Sequence, residues 1–307
     1  MLKGRFAPSP SGRMHVGNIY AALMSWLSVR KQDGSWLLRI EDLDRQRCKR
    51  EYADILIEDL RWLGLDWDEG AFLGDASQYF QSERDAVYEQ YFSALQAQGL
   101  VYDCFCRRSD LLASSAPHAS DGTPVYAGTC RNLTAAERKR LFQERAPAKR
   151  IRVPDRASVF TDGHYGEQHC HLLTDCGDFI LRRADGNFAY QLAVVVDDAL
   201  MGVTEVVRGR DLLSSTHQQL FLYKVLGFTP PKFYHLPLLV NADGKRLSKR
   251  DKDTDMGYLR AYFSPEQIIG HLMHLCGFTA HDEPLSLEEA ITLFDWQKLP
   301  QKNIVCD

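Results

Sequence analysis

Alternating strand-like and helix-like patterns in the first 65 residues constrain the fold more than any other feature of the sequence. Strand-like runs cover Gly4–Ala7 and Trp36–Asp44, and each precedes a segment with apolar residues at helical spacing, about His15–Lys31 and Glu51–Leu65. Strands that alternate with helices of this length indicate βαβ units and a parallel sheet. We therefore predict an α/β protein built on a Rossmann-type sheet.

The alternating pattern breaks at residue 101 and returns at residue 187. Residues 101–186 contain cysteines and a stretch rich in Ser, Ala, Pro and Gly, with little helical periodicity. This segment is interpreted as an inserted α+β module between the first half of the sheet domain, residues 1–100, and its second half, residues 187–250. Short helices are predicted for residues 251–307.

The predicted boundaries of the later elements rest on capping residues and apolar runs. The helix that ends at Gly99 is predicted to open with a Ser82 cap. Phe188–Leu200 is predicted to be a buried strand because it is a nearly continuous apolar run. A later helix is predicted to begin with a capping box formed by Ser215 and Gln218.

The composition is that of a globular protein. Of 307 residues, 45% are hydrophobic and 25% are charged, and the formal net charge is −4. A chain with this charge has no general attraction for polyanions, so such a partner must be held by local basic patches. The longest apolar run, Leu192–Val196, is far too short to cross a bilayer, and no apolar signal region is present. We expect a cytoplasmic protein whose eight cysteines are free thiols or metal ligands.

A rigid loop leads into the first predicted helix and is a candidate phosphate site. Pro8 and Pro10 hold this loop extended, and His15 stands where the helix starts. The N–H groups and dipole of a helix N-terminus favour phosphate, His15 can donate a hydrogen bond to it, and Gly17 lets a flat ring approach the backbone. From these residues alone, a structural loop whose histidine is satisfied by a local carbonyl is an equally good interpretation.

A second candidate phosphate site lies in the other half of the sheet domain. The segment GKRLSKR, Gly244–Arg250, places Lys245, Lys249 and two arginines around Ser248, directly after a predicted strand. Such a basic loop suits the negative charge that builds up on a triphosphate as pyrophosphate leaves. An isolated run of this kind is more often a solvated surface.

Taken together, HVGN at residues 15–18 and KRLSK at residues 245–249 resemble the HIGH and KMSKS motifs of class I aminoacyl-tRNA synthetases. The surrounding RFAPSPSGRMHVG resembles the glutamate-specific branch of that family. RIEDLD, AYQLAVVVDD and VVRGRDLL occur as further matches in order, whereas Asn18, Leu247 and Arg250 depart from the usual motif residues. The resemblance implies a catalytic domain that uses ATP with Mg²⁺, with His15 and Lys249 as catalytic residues.

A glutamate pocket must neutralise a γ-carboxylate and bind an α-ammonium group. Guanidinium suits the first task, since its planar fork matches a carboxylate and stays charged. Arg5 and Arg208 are the candidates, Tyr190 can add a phenolic hydrogen bond, and Glu41 with Ser9 can hold the ammonium group. Outside such motifs, an arginine or glutamate here would be interpreted as part of a sheet-edge ion pair. The resemblance implies a glutamate site of Arg5, Ala7, Ser9, Glu41, Tyr190 and Arg208 and an ATP site of His15, Gly17, Asn18, Lys245, Ser248 and Lys249.

Cysteines in the inserted segment indicate a metal site. Cys104 and Cys106 form a Cys-x-Cys pair, Cys130 lies further along the chain, and thiolates favour zinc. A fourth ligand is needed, and the residue types alone favour His118 or Asp103. In one subgroup of the resembled family a Cys-x-Cys pair precedes Tyr-x-x-x-Cys and the tyrosine is a ligand, which implies a structural Zn²⁺. The implied ligand set is Cys104, Cys106, Tyr126 and Cys130.

A rival group of metal-binding residue types comprises His169, Cys170, His171 and Cys176. It lies in a polar stretch without the family's pattern. Surface or packing roles are therefore expected for these four residues.

The expected acceptor depends on the segment after the basic loop. Ordinary glutamyl-tRNA synthetases have a large C-terminal domain that reads the anticodon, whereas this sequence ends at Asp307. The sequence resembles a truncated branch of the family that attaches glutamate to queuosine in the anticodon of tRNA(Asp), so no anticodon-binding domain is expected. The basic stretch Glu137–Arg152 and the loop 245–252 are candidate RNA contacts or, for the former equally, solvated surface. We expect a monomer that does not associate with membranes.

Three other functions are consistent with parts of the sequence. One is a short synthetase that charges the 3′ end of tRNA(Glu), and another is a non-catalytic tRNA-binding module derived from a synthetase. A third is a nucleotidyltransferase that does not use glutamate. The retained pocket residues argue against the non-catalytic module, whereas Asn18 and Arg250 favour it.

Overall fold

The strands form one parallel sheet and several smaller units. The computed structural model describes residues 1–72, 77–107, 125–244 and 255–306. Its strands are β1 (Lys3–Phe6), β2 (Ser35–Leu38), β3 (Glu69–Gly70), β4 (Val101–Cys104), β5 (Ala148–Ile151), β6 (Ala157–Asp162), β7 (Gly166–His171), β8 (Ile180–Arg182), β9 (Glu205–Gly209), β10 (Lys232–Leu236), β11 (Leu239–Val240) and β12 (Ile304–Val305). The central sheet has the order β10-β9-β1-β2-β3, and its strands are parallel, as the alternating pattern predicts.

The helices cover the sheet and build the C-terminal segment. They are α1 (Val16–Arg30), α2 (Arg50–Trp62), α3 (Asp85–Ala97), α4 (Ala135–Glu144), α5 (Tyr190–Leu200), α6 (Ser215–Leu226), α7 (Met256–Tyr262), α8 (Pro265–Leu275) and α9 (Leu287–Leu293). Helix α1 lies close against β1 because Gly4 has no side chain, and a Cβ there would be 2.4 Å from Cγ2 of Val29. In the part of the chain that the structure describes, no helix combines the length and apolarity needed to cross a membrane.

The largest difference from the sequence-based prediction is at Phe188–Leu200, which is not a strand. This segment forms α5, and every residue from Leu192 to Asp198 is buried. A helix buried on all sides shows a continuous apolar run, which periodicity alone does not distinguish from a buried strand. The acidic residues at its C-terminal end are tolerated in the interior because Asp197 and Asp198 pair with buried arginines.

The predicted end of α3 is confirmed, but its predicted start is wrong. Gly99 comes after the helix with a φ of +70°, a conformation that glycine adopts without steric cost. The helix begins only at Asp85, and no side chain caps it. The hydroxyl of Ser82 instead donates a hydrogen bond to Asp42 at 2.6 Å, so this serine fastens the loop after β2.

The predicted capping box of α6 is also wrong. A 3₁₀ turn runs directly into this helix, so Ser214 at the N-cap already has helical dihedral angles. No side chain of Ser215 or Gln218 caps the helix, because a capping residue needs the extended backbone that this continuous turn does not provide.

Antiparallel structure separates the two halves of the parallel sheet. β4, β5 and β8 form a three-stranded antiparallel sheet, β6 and β7 form a hairpin, and α4 lies between β4 and β5 in sequence. The hairpin packs against β10, where the rings of Phe160 and Phe233 meet edge to face with centroids 6.3 Å apart. Gly163, in the hairpin turn, donates its N–H to the carbonyl of Phe233 at 2.8 Å.

Candidate active site

A cavity of about 480 Å³ opens at the carboxyl ends of β1 and β9. Loops at this edge of a parallel sheet are where α/β folds bind ligands. Most of the predicted glutamate and ATP residues lie in its wall: Arg5, Ala7, Ser9, His15, Gly17, Asn18, Glu41, Tyr190 and Arg208. The others, Lys245, Ser248 and Lys249, lie outside the described residues.

The N-terminus of α1 forms one wall of the cavity and is capped by His15. Nδ1 of His15 accepts a hydrogen bond from the N–H of Gly17 at 3.0 Å, and Oδ1 of Asn18 accepts one from the N–H of His15 at 3.2 Å. This reciprocal arrangement is a capping box, so Asn18 is explained as its second member. Since Nδ1 accepts, the proton of the neutral ring is on Nε2. A Cβ at Gly17 would lie 2.9 Å from the His15 ring, so a larger residue does not fit beneath it.

The segment RIEDLD, Arg39–Asp44, was predicted as part of the second strand, but all of it lies beyond that strand. β2 ends at Leu38, and the loop after it brings Glu41 to the cavity wall. Oε1 of Glu41 accepts a hydrogen bond from Arg39 at 3.1 Å. Burial raises the pKa of Glu41, although the positive charges of Arg39 and Arg5 act in the opposite direction. A carboxylate in this position can accept hydrogen bonds from an ammonium group.

Behind the cavity, Arg39 is fully buried among acidic side chains that sequence reasoning did not identify. Its Nη1 donates to Oδ1 of Asp198 at 2.7 Å, and its Nε lies 3.8 Å from Asp197. The carboxylate of Asp197 also accepts hydrogen bonds from Gln81, Arg84 and Tyr88. The charges of this group are therefore balanced largely within the protein.

Arg5 and Arg208 reach the cavity with weaker compensation. Each is 5% exposed. Arg5 donates Nη1 to the carbonyl of Val207 at 3.2 Å, and its buried Nε lies 3.6 Å from Asp198 without a hydrogen-bond partner among the described residues. Within those residues no carboxylate is in ion-pair distance of Arg208. Burial, together with the positive charge of Arg5, lowers the pKa of Arg208.

The polar contacts of Arg208 are with uncharged groups. Nε donates to Nε2 of His235 at 3.0 Å, and Nη2 donates to Oγ1 of Thr216 at 2.8 Å and to the carbonyl of Leu212 at 3.4 Å. Nη1 points to the hydroxyl of Tyr190 at 3.4 Å. Sequence reasoning missed His235 and Thr216. His235 could not be identified from the sequence because only the parallel register of β9 and β10 places it beside Arg208.

The cysteine sulfurs predicted to bind metal lie together in the antiparallel region. The Sγ atoms of Cys104, Cys106 and Cys130 are all within 4.8 Å of one another. The hydroxyl of Tyr126 lies 3.5 Å from Sγ of Cys104 and 3.9 Å from Sγ of Cys106. Three thiol sulfurs this close together, with a phenolic oxygen beside them, are compatible with a metal ion.

Of the two alternative fourth ligands, Asp103 does not join this group. Asp103 pairs instead with Lys149, at 2.5 Å, and with Arg138, at 3.7 Å. His118 lies outside the described residues.

The rival group of histidines and cysteines does not converge. Sγ of Cys170 and Sγ of Cys176 are 3.2 Å apart, but the two histidines pair with carboxylates, His169 with Glu167 and His171 with Asp155. Among the described residues, only the three cysteines at 104, 106 and 130 form a group with metal-ligand spacing.

Comparison with known proteins identifies the family. The family model for the catalytic domain of class I tRNA synthetases (E and Q) matches residues 1–307. The chain belongs to this family. It is an aminoacyl-tRNA synthetase-like ligase, and the predicted parallel-sheet α/β fold of the Rossmann type is confirmed. Class I membership also implies the use of ATP with Mg²⁺.

Individual relatives are similar over most of the chain. A glutamyl-Q tRNA(Asp) synthetase from Symbiobacterium thermophilum is 48% identical over 99% of this chain and 95% of its own length. One from Nitratidesulfovibrio vulgaris is 46% identical with the same coverage. A glutamate–tRNA ligase from Aquifex aeolicus is 42% identical over 96% of this chain but 62% of its own length. The crystal structure of a glutamate tRNA ligase from Elizabethkingia meningosepticum in complex with its amino acid superposes with a TM-score of 0.82 and 29% identity, covering 99% of this chain and 66% of that one.

Proposed function

We propose that the protein activates L-glutamate with ATP to glutamyl-adenylate and transfers the glutamyl group to queuosine in the anticodon of tRNA(Asp). The observation that carries the proposal is the pair of buried arginines at the cavity, Arg5 and Arg208. Arg208 has no carboxylate partner in the described residues, and an arginine keeps its charge even when buried. A buried guanidinium without a carboxylate partner, with Arg5 in the wall of the same cavity, favours a ligand that brings a carboxylate of its own.

The other polar groups of the cavity suit the rest of glutamate. Glu41, with Ser9 near it in the wall, offers oxygen atoms to the α-ammonium group. Tyr190 lines the same cavity, with its hydroxyl 3.4 Å from Nη1 of Arg208, and can donate its phenolic proton to the substrate. The ATP site is proposed at His15, Gly17 and Asn18, where the N-terminus of α1 favours phosphate, with Lys245, Ser248 and Lys249 assigned by the motif resemblance alone.

The proposed reaction has two steps. An oxygen of the α-carboxylate of glutamate attacks the α-phosphorus of ATP, and pyrophosphate leaves with the electrons of the broken P–O bond. A ring hydroxyl of queuosine then attacks the carbonyl carbon of the adenylate, an ester bond forms, the hydroxyl proton is released, and AMP leaves. Positioning and charge stabilisation account for most of the catalysis in such a scheme.

The choice of acceptor is supported by the relatives. Those at 48% and 46% identity that match the chain almost end to end are named glutamyl-Q tRNA(Asp) synthetases. The glutamate–tRNA ligases that match nearly as well extend well beyond the matched region. The competing acceptor is the 3′ end of tRNA(Glu).

Two assays test the proposal in order. The first is ATP–pyrophosphate exchange with glutamate in the absence of RNA, where we expect exchange with glutamate and little with glutamine. The second is transfer of labelled glutamate to tRNA(Asp) with queuosine, to tRNA(Asp) without it, and to tRNA(Glu). Labelling of the queuosine form alone supports the proposal, and labelling of tRNA(Glu) instead assigns the competing acceptor. Absence of glutamate-dependent exchange refutes the activation step.

We further propose that Cys104, Cys106, Cys130 and Tyr126 hold a structural Zn²⁺. Thiolates bound at about 2.3 Å to a tetrahedral zinc ion lie about 3.8 Å apart. The 3.6 Å between Sγ of Cys106 and Sγ of Cys130 is close to that spacing. The cluster lies among the buried residues of the antiparallel region, which favours a role in holding that region together.

Metal analysis of the native protein tests this site. We expect about one zinc per chain in the wild type and less than about a tenth of that in Cys104→Ser, with a lower Tm for the variant. The matched control is Cys170→Ser, which removes a half-buried thiol outside the cluster and should keep its zinc. Wild-type protein without zinc, or equal loss in both variants, argues against the site.

A further inference from the structure

A chain of buried side chains connects Arg208 to the β6–β7 hairpin. Nε of Arg208 donates to Nε2 of His235 at 3.0 Å, and Nδ1 of His235 lies 2.6 Å from Oδ2 of Asp162. His235 is 0% exposed and Asp162 is 1% exposed. Neither of them lines the cavity, so any effect they have on a ligand must pass through Arg208.

Asp162 fixes the tautomer of His235. A carboxylate can only accept, so Nδ1 carries the ring proton and Nε2 presents its lone pair to Arg208. If the ring were protonated, its Nε2–H would face the Nε–H of Arg208, and the hydrogen bond between these two nitrogens could not form. Burial and the positive charges of Arg208 and Arg5 lower the pKa of His235 to about 4, although Asp162 acts to raise it. The ring is therefore neutral at physiological pH.

The position of Asp162 is fixed by the backbone of the hairpin turn. Its Oδ1 accepts hydrogen bonds from the N–H groups of His164 at 3.0 Å and Tyr165 at 2.9 Å. The turn lies directly on β10, because a Cβ at Gly163 would be 2.1 Å from the ring of Tyr234. The carboxylate is therefore a rigid anchor for the imidazole.

This anchor determines which part of Arg208 is available to a ligand. His235 and Thr216 accept hydrogen bonds from Nε and Nη2 of Arg208. Nη1 points to the hydroxyl of Tyr190 at the cavity wall and is the part available to a ligand. A carboxylate in the place of His235 would orient Arg208 equally well but would also neutralise it. The imidazole holds the guanidinium with an uncharged acceptor and keeps the negative charge of Asp162 one ring away.

We propose that Asp162 and His235 are positioning residues that orient Arg208 toward the side-chain carboxylate of glutamate and so set the preference for glutamate over glutamine. This inference rests on the proposed function, since it assumes that Arg208 binds that carboxylate. It predicts an effect on amino-acid recognition that a purely structural role of the two residues would not produce.

The decisive variant is His235→Leu, which removes the acceptor of the Arg208 Nε–H. We expect the KM for glutamate in ATP–pyrophosphate exchange to rise roughly 10-fold to 100-fold, the range for losing a hydrogen bond to a charged group. The KM for ATP and kcat should change by no more than about twofold, and the ratio of glutamate to glutamine activation should fall. His235→Gln, whose amide oxygen can accept from Arg208, should recover most of the loss.

The matched control is His217→Leu. His217 is a buried histidine of α6 whose Nδ1 lies 2.9 Å from the hydroxyl of Ser158 in the same hairpin. Removing its ring deletes a buried imidazole and a hairpin contact without touching Arg208. We expect a comparable loss of Tm and an unchanged KM for glutamate.

The outcomes separate this inference from the proposed function. A wild-type protein that does not exchange with glutamate refutes the proposed function itself. An active wild type with an unchanged glutamate KM in His235→Leu, or an equal rise in His217→Leu, overturns the positioning role. If His235→Leu does not fold, Asp162→Asn is the deciding variant. Its amide can donate a hydrogen bond to Nδ1 of His235, so the ring proton is no longer held on Nδ1. We expect a smaller rise in glutamate KM there, and no rise overturns the inference.

Discussion

Arg39 and Arg208 are both buried arginines beside the same cavity, but their surroundings differ in charge. Arg39 contacts Asp198 and Glu41 directly and has Asp197 within 3.8 Å. Arg208 contacts only uncharged acceptors in the described residues. Burial acts to lower the pKa of both groups, yet the carboxylates raise the pKa of Arg39 whereas that of Arg208 is lowered.

The difference separates a structural arginine from one that we propose to bind the ligand. A buried charge is costly unless a partner compensates it. Around Arg39 the protein supplies those partners, so this arginine joins the loop after β2 to α5. Around Arg208 the partners contact the guanidinium without neutralising it. In the proposed function, the substrate supplies the compensating charge. Replacing each arginine should therefore affect different properties.

The largest effect is expected for Arg39→Leu. This change leaves Asp198, Asp197 and Glu41 buried with less compensation, and we expect the free energy of unfolding to fall by about 3–5 kcal/mol. Chemical denaturation measures this loss. Arg45→Leu is the control, because its ion pair with Asp85 is more than half exposed on both sides and such pairs contribute about 1 kcal/mol or less. Equal losses in the two variants would contradict the structural role of Arg39.

Arg208→Gln should show the opposite pattern, with a large loss of activity and a small loss of stability. We expect kcat/KM for glutamate in ATP–pyrophosphate exchange to fall about 100-fold, equivalent to about 2.7 kcal/mol. The glutamine side chain can still hydrogen-bond to Thr216, so the fold is retained. Arg210→Gln provides the control, since Arg210 is exposed and does not line the cavity. Near-normal use of glutamate by Arg208→Gln would remove the basis of the comparison.

Acid pH should affect the surroundings of Arg208 through His235. The pKa of this histidine is lowered from 6.5 to about 4, chiefly by burial. The unfolded chain therefore binds a proton as pH falls below about 6.5, whereas the folded chain does so only near pH 4, and stability is lost across this interval. Between pH 7 and pH 5 this group contributes a loss of at most about 2 kcal/mol.

Comparing the wild type with His235→Gln isolates this contribution. The variant lacks the titrating ring but keeps an acceptor for Arg208, so its unfolding free energy should fall less between pH 7 and pH 5. His217→Gln removes a second buried histidine with a pKa of about 4 and should flatten the same interval, without changing glutamate KM. An unchanged slope in His235→Gln would show that folding does not lower the pKa of His235.

The sequence predicted the residues that line the cavity but not the residues that support the buried arginines from behind. Arg5, Glu41, Tyr190 and Arg208 lie in short motifs, and the structure brings them to one cavity. Asp197 belongs to one of these motifs too, but its role depends on a helix that was predicted as a strand.

The supporting contacts could not be predicted because they join distant segments. His235 is beside Arg208 only through the register of β9 and β10, and Asp162 reaches His235 only through the docking of the hairpin on β10. Neither relation leaves a local pattern in the sequence. Asn18 is a different case, because a residue three positions after a helix N-cap is a recognisable capping position. Its departure from the motif obscured that signal.

The smallest expected effect concerns the cavity wall formed by the N-terminus of α1, where Oδ1 of Asn18 accepts a hydrogen bond from the backbone N–H of His15. Asn18→Ala removes one half of this capping box, and we expect a loss of unfolding free energy of about 1 kcal/mol together with a several-fold rise in KM for ATP. Ser264→Ala removes a capping residue of α8, away from the cavity, and should cost similar stability without changing either KM. Because the proposed glutamate site is at the arginines and not at this helix end, the KM for glutamate should stay constant in Asn18→Ala. A parallel rise in both KM values would mean that the cap supports the whole cavity, so that its ATP and glutamate sides do not act separately.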